Sequence, residues 1–177
     1  GELNNNINQV VSQINVKAEQ IAELNQNIVQ IEANGDNAND YRDKRDLVVK
    51  ELSKIIDLTA SEQENGSVTI TLGDGNALVE EASTSDLTTV TNGSGYSDVA
   101  WDESGTVIND DISDGKLRGW LDVRDDTIPG YTDRLESLAG QMKSDINALH
   151  SGGFGLDDST GNDFFTGTLE NNDFALA

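Results

Sequence analysis

The run Leu3-Asn4-Asn5-Asn6-Ile7-Asn8-Gln9-Val10-Val11-Ser12-Gln13-Ile14-Asn15-Val16-Lys17-Ala18-Glu19-Gln20-Ile21-Ala22-Glu23-Leu24-Asn25-Gln26-Asn27-Ile28-Val29-Gln30-Ile31 sets the architecture. Leu3, Ile7, Val10, Ile14, Lys17, Ile21, Leu24, Ile28 and Ile31 follow one another at alternating spacings of four and three. Every position of this seam except Lys17 is apolar, and Val11, Ala18 and Ala22 widen it. A heptad pattern held over four heptads predicts a helix with one face packed on a partner. Asn, Gln and Glu fill the other faces, and neither proline nor glycine interrupts Leu3 to Ala33. Such a helix is roughly 43 Å long, as long as the diameter of about 40 Å expected for a spherical protein of this size. The pattern therefore predicts a rod, with Lys17 extending its ammonium to water from the seam's edge.

Asn34-Gly35 ends the first helix, glycine suiting the left-handed position at a helix terminus. A second helix is predicted from Asn37–Asn39 to about Leu58, with Tyr41, Leu47, Val48, Leu52, Ile55 and Ile56 as its apolar face. The short linker makes the two helices antiparallel neighbours. The period then changes to two. Val68, Ile70 and Leu72 alternate with Ser67, Thr69 and Thr71, and Gly73-Asp74-Gly75-Asn76 precedes Ala77–Val79, a hairpin signal. Leu87–Thr91, Val99–Trp101 and Thr106–Ile108 read as further short strands. Helical spacing returns at Leu117 and continues through Leu121, Arg124, Ile128, Tyr131, Leu135, Leu138, Met142, Asp145 or Ile146, and Leu149. Pro129 predicts a break at Thr127–Pro129, and Ser151-Gly152-Gly153 ends the helix. The fold class is thus mainly α with a small β insertion (α+β): an elongated antiparallel helical bundle with a β-rich acidic subdomain. Its expected parts are residues 1–61 (helices about 3–33 and 39–58), an acidic β-rich insertion at 62–113, the rest of the bundle at 114–151, and an extended, glycine-rich acidic tail at 152–177 containing Phe154, Phe164, Phe165 and Phe174.

Charge follows the same division. The 177 residues carry 33 acids against 11 bases, a net of −22. Residues 1–58 hold 10 acids and 6 bases, and residues 116–150 hold 6 and 5. Residues 59–115 hold 12 acids, residues 151–177 hold 5, and neither segment has a base. A surface this acidic repels phosphates and anionic lipid, which argues against nucleic-acid partners. No apolar run reaches the length of a membrane span. The absence of cysteine removes disulfides, thiol catalysis and cysteine-ligated metals. The nearly balanced helical frame suits close packing with other subunits, and the insertion is expected to face outward into solvent. The chain starts at Gly1 without a charged-then-apolar leader pattern and reads as an internal piece of a longer protein.

Candidate chemistry is thin. His150, the single histidine, is the one conventional base for a serine nucleophile, but its place near a helix C-terminus gives it a structural reason. Asp157-Asp158-Ser159-Thr160-Gly161-Asn162-Asp163 resembles a calcium loop, yet the fifth and twelfth positions are Gly161 and Thr168, so an EF-hand fails. Gly73-Asp74-Gly75-Asn76-Ala77-Leu78 lacks the third glycine of a dinucleotide fingerprint. Asp110-Asp111 and Asp125-Asp126 point apart on any regular backbone and do not make a glycosidase pair. Asn39 to Asp46 offers i,i+4 pairs, Asp40 with Lys44 and Arg42 with Asp46, which read as a solvated face or as charges that touch a neighbouring subunit. No catalytic, cofactor-binding or metal residue is assigned, and no cofactor is expected.

Several motifs resemble the bacterial flagellar hook-associated protein 1 family, the hook–filament junction proteins. They are Ile21-Ala22-Glu23-Leu24-Asn25-Gln26-Asn27-Ile28, Ala38-Asn39-Asp40-Tyr41-Arg42-Asp43-Lys44-Arg45-Asp46, Gly115-Lys116-Leu117-Arg118-Gly119-Trp120-Leu121-Asp122-Val123-Arg124-Asp125, Ile146-Asn147-Ala148-Leu149-His150 and Gly161-Asn162-Asp163-Phe164-Phe165. They keep their order over roughly residues 10–165; Tyr41 stands where the family pattern has leucine. The resemblance implies a structural, non-enzymatic subunit exported through the flagellar type III apparatus and located outside the cell in the flagellum. Its partners would be the flagellar hook protein, the adjacent junction protein and further copies in a ring-like layer. The alternatives are another extracellular rod, flagellin-like or an adhesin stalk, and a calcium-binding module built on the acidic segment.

Overall fold

Helix α1 spans Glu2–Glu32, and four isoleucines seven residues apart, Ile7, Ile14, Ile21 and Ile28, are fully buried along it. The structure, a computed structural model, describes residues 2–156, 158–166 and 175–176. Val10, Val11, Ala18, Ala22 and Asn25 are buried beside the isoleucines, whereas Lys17 and Leu24 are only half-buried. The buried arc exceeds a two-helix seam because α1 packs on a helix and on β-strands at once. Lys17 does not simply extend into water: its Nζ lies 2.6 Å from Glu51 Oε2 on the next helix.

That helix, α2, spans Asn39–Leu52 and ends six residues earlier than its apolar pattern suggests. A tight turn follows, with Ile55 N donating to Leu52 O at 2.8 Å and Ile56 N to the same oxygen at 3.1 Å. The turn carries Ile55 and Ile56 into the core without a helix, while Leu47, expected on the buried face, is exposed. Its place within α2 is taken by Arg45, which is buried with Leu52.

The strands come next. Strand β1 (Thr59–Glu62), β2 (Val68–Thr71), β3 (Ala77–Glu80) and β4 (Ser83–Thr84) form an antiparallel meander in sequence order. Strands β5 (Leu87–Thr91) and β6 (Ser97–Trp101) form a separate hairpin, with Leu87 opposite Trp101 and Thr91 opposite Ser97. The turns that join β1 to β2, β2 to β3 and β5 to β6 each place a glycine, Gly66, Gly75 and Gly95, in the left-handed region that a tight hairpin needs. Thr106–Ile108, expected as a strand, contributes a single bridge from Val107 to Ala100.

The insertion is not an independent subdomain. Val68, Ile70, Leu72, Leu78, Val79, Leu87, Val99 and Trp101 share one continuous core with Ile7 to Ala22 of α1. A strand-rich segment of this length has too little apolar surface for a core of its own and closes against the helix. The expectation that it faces outward therefore holds for its carboxylates and fails for its apolar side chains. Of its 11 acids, only Asp74 and Asp98 are not exposed.

Helix α3 (Gly115–Asp122) buries Leu117 and Leu121. Its start is fixed on the turn after α2: Lys116 N donates to Lys54 O at 3.0 Å, Leu117 N to Ile55 O at 2.9 Å, and Ser113 Oγ to Asp57 Oδ2 at 2.7 Å. Gly115 sits at φ +90, and a β-carbon there would lie 2.7 Å from the Ile55 carbonyl. The chain divides between Arg124 and Asp125 into two compact units.

The predicted break is a π-helical turn at Val123–Thr127, after which α4 runs Ile128–Ser151 with Pro129 in its first turn. No residue of α4 is buried, so the expected bundle core does not continue along it: Tyr131, Leu135, Leu138, Met142 and Leu149 are each more than half exposed. Within the second unit, Asn147 Oδ1 accepts from Phe164 N at 3.0 Å and Phe165 N at 2.8 Å, and Gly161 N donates to Ser151 O at 3.1 Å. These bonds hold Gly161, Phe164 and Phe165 against the end of α4. Strand β7 (Phe165–Thr166) pairs with β8 (Ala175–Leu176). Phe174, Thr168 and Asp157, named in the sequence reading, lie outside the described residues.

Candidate assembly surfaces

Three asparagines on α1 hold the strands to it. Asn4 donates through Nδ2 to Gly95 O at 2.9 Å and accepts at Oδ1 from Ser97 N at 3.2 Å. Asn15 does both to one residue, Leu87 O at 2.8 Å and Leu87 N at 3.0 Å. Asn25, fully buried, donates to Val68 O at 2.8 Å and Glu81 O at 2.7 Å, and accepts from Val68 N at 3.0 Å and Arg45 Nη1 at 3.3 Å. Each amide thus imitates a strand's donor and acceptor, satisfying backbone groups that a helix surface otherwise leaves bare. Spacings of 11 and 10 residues keep all three on one face, because 11 residues complete three helical turns.

Three arginines brace this core. Arg42 does not form the i,i+4 pair with Asp46. It reaches Glu32 Oε1 at 2.7 Å through Nε and Glu62 Oε1 through Nη1, tying α1, α2 and β1 together. The guanidinium's hydrogen bond holds the Glu32 carboxyl below its ordinary value, and the two carboxylates raise Arg42. Lys44, expected to pair with Asp40, lies 5.3 Å from the Tyr41 ring centroid instead. Arg45 is buried; Nη1 donates to Gly66 O at 2.7 Å, Nε stands 3.7 Å from Asp46 Oδ1, and burial lowers its pKa. Arg124, also buried, donates to Ser97 O, meets Asp98 Oδ1 at 3.2 Å and lies over Tyr96 at 5.4 Å.

The groups weighed for chemistry are scattered. His150 is exposed, its Nδ1 lies 2.9 Å from Asn162 O, and its ring meets Phe164 edge-on at 5.4 Å, so Nδ1 faces a backbone carbonyl and not a serine hydroxyl. Gly73 lies so close to the Asp111 carbonyl that a β-carbon would stand 2.0 Å from it, so this glycine serves packing rather than a phosphate. In the same turn Asp74 accepts from Trp101 Nε1 at 2.6 Å; burial works against ionisation, but this bond and those from Asn76 win and keep the carboxyl below its usual range. Asp110, Asp111, Asp125 and Asp126 are exposed. Among the described residues no group of three or more His, Cys, Asp or Glu is arranged to hold a metal, and no helix is long and apolar enough to cross a membrane.

What stands out is surface. Ile128, Tyr131, Leu135, Leu138, Met142 and Leu149 repeat on α4 at heptad spacing and are all exposed. The sequence pattern identified these residues as one stripe; it assigned them to a core.

A family model, the flagellar hook-associated protein FlgK helical domain, matches residues 1–165. The flagellar hook-associated protein 1 of Salmonella typhimurium is 32% identical over 173 residues, covering 93% of this chain and 31% of that protein. The Escherichia coli K12 protein of the same name is 33% identical over 164 residues, 88% of this chain and 30% of its own length. That of Bacillus subtilis is 25% identical over 186 residues, 90% and 37%. The structure of the flagellar hook junction protein FlgK from Burkholderia pseudomallei superposes with a TM-score of 0.77 at 26% identity, over 93% of this chain and 31% of that one. The chain thus spans about a third of the length of the first of these relatives.

Proposed function

Because the chain belongs to the flagellar hook-associated protein FlgK family, we propose that it is a load-bearing segment of a subunit joining flagellar hook to filament, acting by packing against other protein surfaces and not by catalysis. The exposed heptad stripe on α4 carries this reading. A stable protein exposes few contiguous apolar faces unless another surface covers them, and apolar residues at three- and four-residue spacing fit a partner helix.

In this reading residues 1–61 and 114–151 supply a helical frame, residues 62–113 pack on its first helix, and residues 152–177 are a glycine-rich acidic tail. The 31 residues of α1 give that frame roughly 46 Å of helix. The partners are the hook protein, the adjacent junction protein and further copies in a ring-like layer. The setting is the exterior flagellum, reached through the flagellar type III apparatus, with no cofactor, metal, nucleic acid or membrane insertion involved.

The test places Leu135→Asp and Leu138→Asp together in the whole protein that contains this chain. Binding to isolated hooks should fall by about tenfold or more, as for the loss of buried interface anchors. The 177-residue chain with the same changes should melt within about 2 °C of its parent, because both side chains are already exposed. Unchanged assembly on hooks would overturn the proposal.

A further inference from the structure

The sequence contains three Asn-Gly steps, Asn34-Gly35, Asn65-Gly66 and Asn92-Gly93, and the fold gives them different chemistry. An asparagine followed by glycine loses its side-chain amide when the glycine nitrogen attacks Cγ, and the geometry around each pair decides how readily this occurs. At Asn34 the Gly35 N–H is held by Glu32 O at 3.0 Å, and Asn34 Nδ2 donates to Gln30 O at 2.8 Å. At Asn65 the Gly66 N–H is held by Gln63 O at 3.0 Å. Gly66 is also enclosed, since a β-carbon there would meet Glu32 Oε2 at 2.6 Å and Arg42 Nη2 at 2.7 Å.

Asn92 differs from both in its attacking nitrogen; its Oδ1 shares with Asn65 Oδ1, which accepts from Ser67 N at 3.0 Å and Ser67 Oγ at 2.7 Å, the property of taking two donors. Among the described residues the Gly93 N–H has no hydrogen-bond acceptor, and the space around Gly93 is open. Asn92 Oδ1 accepts from two backbone donors, Ser94 N at 3.0 Å and Tyr96 N at 3.1 Å. Two N–H groups on one carbonyl oxygen form a small oxyanion hole: they polarise Cγ and stabilise negative charge on Oδ1 as the tetrahedral intermediate forms.

We propose that Asn92 is a self-modifying site, converted to aspartate and isoaspartate in the folded protein ahead of the other two. Hydroxide or water removes the Gly93 N–H proton, and the Gly93 N–Asn92 Cγ bond forms. The Cγ–Nδ2 bond then breaks, and Nδ2 leaves as ammonia after taking a proton from water. Water opens the resulting succinimide at either carbonyl. The net change is amide plus water to carboxylic acid plus ammonia, with no oxidant or reductant. The product removes the Nδ2 donor that meets Asp98 Oδ1 at 3.0 Å and sets a carboxylate against Asp98, which also receives Asn109 Nδ2 and Arg124 Nη2. The conversion therefore loosens the tip of β5–β6 where Asn4 is docked.

The 177-residue protein, incubated folded in warm, mildly alkaline buffer and mapped by peptide mass spectrometry with isoaspartate detection, tests this. Asn92 should convert about tenfold faster than Asn34 and Asn65, roughly the worth of the backbone hydrogen bond that Gly35 and Gly66 must first give up. In concentrated denaturant the three rates should draw together. Gly93→Ala, which meets open space and so keeps the fold, should slow Asn92 and leave the other two unchanged. Asn34 or Asn65 converting as fast as Asn92 in the folded protein, or no conversion at Asn92 at all, overturns the proposal.

Discussion

Asn25 is the residue whose loss reaches furthest. Its amide serves Val68 N, Val68 O, Glu81 O and Arg45, and the bonds to Val68 and Arg45 are buried. Asn25→Ala should destabilise the first unit by roughly 2–4 kcal/mol, the cost of several unpaired buried groups, read from the urea midpoint. Asn15→Ala, which frees only Leu87 N and Leu87 O, should cost about 1–2 kcal/mol. The sequence hides this role. Eight asparagines lie between Leu3 and Gly35, and only three clasp strands. Their partners are backbone groups that every residue carries, so no side-chain pattern marks them.

Glu32 adds a pH dependence at the same scale. Its folded pKa lies below the unfolded one because Arg42 bonds the ionised form. The stabilisation is present above the unfolded value and is lost as pH falls through the folded value. Glu32→Gln should therefore lower the melting temperature near neutrality and narrow the difference from the parent below about pH 4, which a thermal melt series checks.

At the scale of elements, legibility followed apolar period. The heptad of α1, the alternation of β2 and the break before α4 can all be read from the sequence, because each pattern faces a core or breaks a backbone bond. Strand β1 leaves no mark in the sequence because Thr59-Ala60-Ser61-Glu62 is an edge strand with every side chain exposed, so no apolar alternation records it. The apolar pattern runs past the end of α2 because Ile55 and Ile56 are buried from a turn as fully as from a helix. The stripe on α4 is legible but its covering is not: periodicity identifies a face and not what covers it.

Gly115 and Gly119 make a paired test on one helix. Gly115→Ala forces an L-residue to φ +90 against the Ile55 backbone and should cost roughly 3 kcal/mol or more. Gly119→Ala meets nothing within 4 Å and replaces a flexible residue inside α3, so it should stabilise by about 0.5–1 kcal/mol. Urea unfolding of both variants checks the opposite signs.

Across the whole molecule, the −22 charge is distributed by side-chain direction. The strand-rich segment turns its carboxylates to water and its apolar residues to α1, so one segment both seals the core and keeps the surface anionic. The charge blocks are visible in the sequence. Their orientation needed the alternation of each strand to be matched to a partner on α1.

The clasp between Asn4 and the β5–β6 turn joins residues 91 and 93 positions apart, and that of Asn15 spans 72. A helix that looks local is thus completed only by distant chain. Closing such loops sets the pace of folding, so the first unit should refold in milliseconds or slower, not in the microseconds of simple helical bundles, as stopped-flow fluorescence of Trp101 and Trp120 would report. During synthesis, α1 emerges long before its partners do, and the nascent chain waits with its isoleucine row uncovered until the second hairpin arrives.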